Sequence, residues 1–195
     1  MIEFIAFARE TLNYLTIFAD ALVIILFLCF LVVKLVKTGG FRQQVEKFLG
    51  LFFAKALLWS FIISLTAVLG SLFFSEIAHF EPCKLCWFQR IFMYPLPILL
   101  LIAFIRKETC IRSYALVMSV IGFLIAAWHY FLQVGALHNI DVEKFINCDV
   151  VGYSPSCASY FILSFGYITI PMMSLSAFAL IALILLVKPG KENQG

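Results

Sequence analysis

Ala56-Leu57-Leu58-Trp59-Ser60-Phe61-Ile62-Ile63-Ser64-Leu65-Thr66-Ala67-Val68-Leu69-Gly70-Ser71-Leu72-Phe73-Phe74 carries no charged side chain. A helix rising about 1.5 Å per residue needs about 20 such residues to cross the ~30 Å hydrocarbon core of a bilayer. The run therefore reads as a transmembrane helix. Four others read the same way: Tyr14 to Val33, Trp87 to Ile105, Tyr114 to Leu132, and a long one within Phe161 to Val187. The last exceeds a straight crossing. Its first part, up to about Pro171, is expected to lie along the interface or to enter kinked.

Composition agrees. Of 195 residues, 64% are hydrophobic and 13% charged, and the mean hydropathy is +1.05. A soluble domain of this length cannot cover so much apolar surface with a polar exterior, so lipid must serve as solvent. The net charge of +3 is modest, and no basic groove or tail points to nucleic acid. Only helices or closed barrels satisfy the backbone in hydrocarbon, so the expectation is one all-α integral membrane protein. No internal repeat or low-complexity segment stands out, and the loops are too short for a second folded domain.

Orientation follows from the cations, which collect on cytoplasmic loops. Lys34, Lys37, Arg42, Lys47 and Lys55 follow the first span, Arg106, Lys107 and Arg112 follow the third, and Lys188 and Lys191 follow the fifth. The opposite side has Arg9, Lys84 and Lys144 against Glu3, Glu10, Glu76, Glu81, Asp141, Glu143 and Asp149. The N-terminus is therefore expected outside and the C-terminus inside. The first apolar run exceeds a usual signal-peptide core, one Arg and two Glu precede it and five cations follow it, so it is expected to be a retained helix.

This topology sorts the cysteines. Cys83, Cys86, Cys148 and Cys157 fall outside, where disulfides are permitted, and Cys110 falls in the basic inner loop. Cys29 reads as a small packed or lipid-facing residue. Cys83 and Cys86 form a C-x-x-C pair at the outer N-terminus of the third span, where free amides and the helix dipole favour a thiolate. Arg90 follows Cys86 at i+4, on the same helical face one turn deeper. An intramembrane guanidinium is costly, so it either snorkels to the headgroups or stabilises an anion. Beside the dithiol, the second reading is favoured.

Cys148 and Cys157 flank a turn-rich segment with Gly152 and Ser154-Pro155-Ser156, expected to be exposed and able to exchange with a soluble partner. Two dithiols on one side suggest an electron relay. Static disulfides are the second reading, and a four-thiolate zinc site the third. A covalent haem is disfavoured because Trp87, not His, follows Cys86. His129 lies near the depth of Arg90, and the two are expected to line one pocket beneath the C-x-x-C. Asp20 reads as a solvated or paired interfacial carboxylate.

Pro82-Cys83-Lys84-Leu85-Cys86-Trp87-Phe88-Gln89-Arg90-Ile91-Phe92-Met93-Tyr94-Pro95, with Gly166-Tyr167-Ile168-Thr169-Ile170-Pro171 before the last span, resembles the DsbB/BdbC family of quinone-linked disulfide oxidases, and its BdbC-like branch in particular. The resemblance runs from about Ala56 to Val187. It implies a four-helix transmembrane bundle over residues 51–195, with residues 1–50 adding one N-terminal transmembrane helix and a basic cytoplasmic linker. It also implies roles. Cys86 would face a quinone, ubiquinone or menaquinone, with Arg90 and more weakly His129 as cofactor-binding residues. Cys148 would be attacked by a DsbA/BdbD-like thioredoxin-fold oxidase, and Cys157 would carry the exchange to Cys83. No metal is implied. The chain departs from the family in its first helix and in its short second loop. Its cysteine order, C-x-x-C first, argues against enzymes like vitamin K epoxide reductase.

The resulting expectation is a dithiol:quinone oxidoreductase of the bacterial cytoplasmic membrane. The rival is a non-enzymatic membrane protein whose disulfides or zinc site merely shape its outer loops.

Overall fold

The computed structural model describes residues 2–36, 39–53, 55–108, 110–138, 140 and 156–186. Among the described residues seven α-helices follow one another: α1 (Ile2–Leu35), α2 (Gly40–Phe53), α3 (Ala56–Leu72), α4 (Lys84–Met93), α5 (Pro95–Arg106), α6 (Cys110–Leu137) and α7 (Ile170–Leu186), with a π-helical turn, Phe73–Ile77, extending α3. Among the described residues there is no β-strand, only one antiparallel bridge between Ser164 and Ile168.

Among the described residues four segments are long and apolar enough to cross a membrane: Glu3–Leu35, Ala56–Ile77, Lys84–Arg106 and Cys110–Leu137. The apolar α7 has 17 residues, about 26 Å at the helical rise. The protein is thus an all-α, multi-pass membrane protein, with α1 added to a bundle built from α3, α4–α5, α6 and α7. The third span, Lys84–Arg106, keeps a helical backbone through Tyr94 (φ −67°, ψ −36°) but loses hydrogen bonds there. Pro95 and Pro97 lack the amides that would complete the ladder to Ile91 and Met93, so α4 ends at Met93 and α5 begins at Pro95. The linker after α1 contains a helix, α2, where Arg42 and Glu46 pair at 2.7 Å one turn apart.

The approach to the last span differs from its sequence reading. Residues 161–169 are neither an interfacial helix nor a kinked entry; they form a tight turn. Ser164 and Ile168 exchange two backbone hydrogen bonds of 2.9 Å, and Phe165 and Gly166 take φ of 52° and 78°. Positive φ at both central residues makes this the mirror-image turn that reverses a chain sharply, and Gly166 adopts it without strain. Pro171 sits in the first turn of α7, where its missing amide leaves no bond unmade.

The main core joins α3, α5, α6 and α7 around Leu96, Leu100, Phe178 and Ile181, none of them exposed. Small residues bring the helices close, as association in lipid requires. A Cβ on Gly122 of α6 would stand 2.3 Å from the Phe178 ring of α7. Arg112 Nε donates to the Leu185 carbonyl at 2.9 Å, capping the last turn of α7 with a cation.

A second cluster fastens α1 and α2 to α7 through Leu26, Leu49, Leu180 and Ile184. Polar contacts add to it. Asn13 Nδ2 donates to Ser164 Oγ at 2.9 Å. Asp20 is a paired carboxylate, accepting from Ser176 Oγ and from Tyr167 OH at 3.3 Å.

Candidate functional site

α4 starts at the dithiol. Cys83 is its N-cap residue, with an extended backbone (φ −71°, ψ 172°), and its carbonyl accepts from the Trp87 amide at 3.1 Å. Cys86 therefore falls in the first turn. The Cys83 thiol is buried and donates to Cys86 Sγ at 3.3 Å. That separation exceeds the ~2.05 Å of a disulfide, so the two sulfurs are in contact without being bonded.

Cys157 lies against this pair, in hydrogen-bonding contact with the Cys83 thiol. It is 2% exposed, contrary to the exposed position expected for it. The turn that carries it folds inward: Ser159 Oγ donates to the Ser156 carbonyl at 2.7 Å, and Gln133 Nε2 of α6 donates to the Ser159 carbonyl at 2.8 Å. Cys148 lies outside the described residues. The hydrogen bond with Cys157 pulls the Cys83 pKa down, but the proton directed at Cys86 and burial outweigh it. The Cys83 thiol is pushed up to about 12.

His129 of α6, fully buried, joins the same cluster. Gln89 Nε2 donates to its Nδ1 at 2.9 Å, which leaves the ring proton on Nε2. That nitrogen donates to the Cys157 carbonyl at 3.1 Å and stands 3.5 Å from Cys83 Sγ. The ligating atoms of Cys83, Cys86 and His129 lie within 4.8 Å of one another, a set that a soft cation such as zinc could use. Gln89 is the residue that sequence reading missed; a lone amide one turn after Cys86, on a membrane helix, was its signal.

Arg90 and His129 are not brought into one pocket. Arg90 faces an apolar cavity of about 460 Å³ that also touches Cys86, Ser71, Phe74 and Met93, and His129 is not among its lining residues. Arg90 Nε donates to Ser71 Oγ at 3.1 Å and its Nη2 to the Ser71 carbonyl at 3.2 Å, at the head of the π-helical turn. Its guanidinium carbon lies 5.2 Å from the Trp87 ring and 5.9 Å from Tyr94. Among the described residues no carboxylate pairs with it. An intramembrane cation held by neutral groups at the polar end of an apolar cavity is suited to a ligand that carries or develops negative charge. Cys86 borders both spaces, the thiol cluster on one side and the Arg90 cavity on the other.

The family model of the disulfide bond formation protein DsbB matches residues 53–188. The chain is 41% identical over 139 residues to the SPbeta prophage-derived disulfide bond formation protein B of Bacillus subtilis (strain 168), covering 69% of this chain and 88% of that protein. It is 39% identical over 135 residues to disulfide bond formation protein C of the same organism, covering 69% and 93%. A probable disulfide formation protein of Metapseudomonas resinovorans is 36% identical over 131 residues, covering 67% and 87%. No solved structure matches. The chain belongs to the DsbB family of disulfide bond formation proteins.

Proposed function

We propose that the protein is a dithiol:quinone oxidoreductase of the bacterial cytoplasmic membrane, with its N-terminus outside and its C-terminus in the cytoplasm. It would restore the disulfide of an extracytoplasmic, DsbA/BdbD-like thioredoxin-fold oxidase. Residues 51–195 would form the catalytic unit, and residues 1–50 an added helix and linker. The observation that carries this reading is the position of Cys86, which links the thiol cluster to the Arg90 cavity.

The partner's thiolate attacks Cys148 of a Cys148–Cys157 disulfide and Cys157 leaves. The partner's second thiol then releases the oxidised partner, and the loop pair is left as a dithiol. Cys157 next attacks Cys83 of a Cys83–Cys86 disulfide, Cys86 leaves as thiolate, and Cys148 resolves the Cys83–Cys157 bond. Every exchange breaks one S–S bond and forms another, so two electrons and two protons are passed on without loss. Contact between Cys157 and Cys83 supports the middle step.

The residues of the cavity fit a quinone: apolar walls for a prenyl chain, and Arg90, Ser71 and Cys86 at one end for a polar ring. When bound, the quinone supplies the oxidising power, taking up two electrons and two protons. Arg90 would orient the ring and stabilise negative charge on its oxygen, while Cys86 would lie beside it. His129 faces the thiols rather than the cavity, so its role would be to hold Cys157 and Cys83 in register.

The deciding experiment mixes purified protein with a reduced thioredoxin-fold substrate, with and without quinone, and follows thiol loss. Catalytic loss that requires quinone is expected. Stoichiometric zinc on the purified protein, held by Cys83, Cys86 and His129, with no quinone-dependent turnover, would favour the non-enzymatic rival instead.

A further inference from the structure

α1 precedes the residues that the family model matches, and the relay above makes no use of it. Yet Leu12, Leu15, Thr16, Phe18, Ala19 and Leu22 of α1 line the same cavity as Cys86 and Arg90. Their spacing of three and four puts them on one helical face, and from Leu12 to Leu22 that face runs about 15 Å along the helix axis. Resting on the function proposed above, we propose that α1 is the outer wall of the quinone site and encloses the prenyl chain, so that this protein selects quinones by their tails.

The helix is fixed in the position this requires. Its polar side chains hold it to the α7 side, through Asn13 to Ser164 and through Asp20 to Ser176 and Tyr167. It stands off from α3, leaving the cavity between them. Near the outer end the two helices approach closely: a Cβ on Gly70 would lie 3.3 Å from the Leu12 side chain. The chemistry of the wall defines the occupant. It carries no charge, and its one hydroxyl, Thr16 Oγ1, is already bonded to the Leu12 carbonyl at 2.8 Å. Such a surface offers nothing to a polar ligand and suits an apolar chain whose polar head lies at Arg90. In a bundle lacking α1, the same chain would lie against bulk lipid.

The test uses the full-length protein in detergent with two probes, a benzoquinone ring without a tail and the same ring bearing a decyl chain, with binding read by quenching of Trp59, which lines the cavity. Ala19→Phe should fill the space along the wall. Ala21→Phe, at an exposed position outside the lining, is the control. Ala19→Phe should weaken the decyl quinone about tenfold, the contribution of roughly two buried methylenes, and leave the tail-less ring unchanged. Ala21→Phe should change neither. A decyl quinone with a diazirine at the chain end should label wild-type peptides from α1, which keeps the test independent of how Ala19→Phe folds. Equal effects of the two substitutions, or labelling confined to α3 and α7, would overturn the wall while leaving quinone use intact. Failure of wild-type protein to bind either probe, or to lose thiols to them after reduction, would remove the quinone reading itself.

Discussion

Cys83 and Cys157, one opening α4 and the other in the turn before α7, share a hydrogen bond inside a buried cluster. One member of each dithiol in the proposed relay is therefore in contact with the other. With Cys86 bordering the Arg90 cavity, the cluster forms a line from the loop to the membrane interior: Cys157, Cys83, Cys86, then Arg90. His129 and Gln89 brace this line from α6 and α4.

The contact predicts the bond that should accumulate when the inner pair cannot close. Cys86→Ser removes one of the two sulfurs that can resolve a Cys83–Cys157 bond, Cys148 being the other. Mild oxidation should therefore populate a Cys83–Cys157 disulfide in competition with Cys148–Cys157, detected by peptide mapping under non-reducing conditions. A Cys83–Cys148 link as the main product would show that the order of transfer is different.

The thiol of Cys83 should be a poor nucleophile in the reduced protein. Its pKa is pushed up to about 12, so it remains protonated through the neutral range and its thiolate fraction grows with each step in pH. Alkylation of Cys83 by iodoacetamide should thus rise steadily with hydroxide and show no plateau near the ordinary thiol value of about 8.5. A plateau there, seen by mass spectrometry of the Cys83 peptide, would mean that Cys157 rather than Cys86 controls its proton.

Depth was legible in the sequence and rotation was not. Counting along uncharged runs located the five apolar helices and placed Arg90 and His129 at similar levels, because rise per residue is constant. Their facing directions depend on how α4 turns about its axis and, for His129, on how α6 does. That helix is apolar nearly all round, so no stripe announced that His129 points to the thiols and Arg90 to the cavity. Burial of Cys157 was hidden for a related reason. Gly152, Ser154 and Pro155 mark a turn, but the fold against Gln133 and His129 is a tertiary contact. Phe165 concealed the mirror-image turn, since only Gly166 beside it carries the usual signal for positive φ.

Packing between α6 and α7 supplies a stability test. A Cβ at Gly122 would press 2.3 Å from the Phe178 ring, a rigid group with no space to move into. Gly122→Ala should destabilise the protein by about 1–3 kcal/mol and lower its thermal midpoint in detergent. Gly122→Ala combined with Phe178→Leu should recover part of the loss, because the smaller side chain restores clearance. Unchanged melting of the single variant would show that the helices can separate at no cost.

Ser71 positions Arg90, accepting from its guanidinium through both its hydroxyl and its carbonyl. Ser71→Ala removes the 3.1 Å bond to Nε and keeps the carbonyl contact. The loss of one hydrogen bond to a charged group, about 1.5 kcal/mol, should raise the apparent KM for quinone about tenfold. Ser71→Thr retains the hydroxyl and should restore it, which a merely structural defect would not do. Partner oxidation in a single turnover should be unaffected by either change, since the Cys157–Cys83 contact lies on the other side of Cys86. If Ser71→Ala and Ser71→Thr behave alike toward quinone, Arg90 is oriented by its stacking on Trp87 and Tyr94, and those rings become the groups to alter.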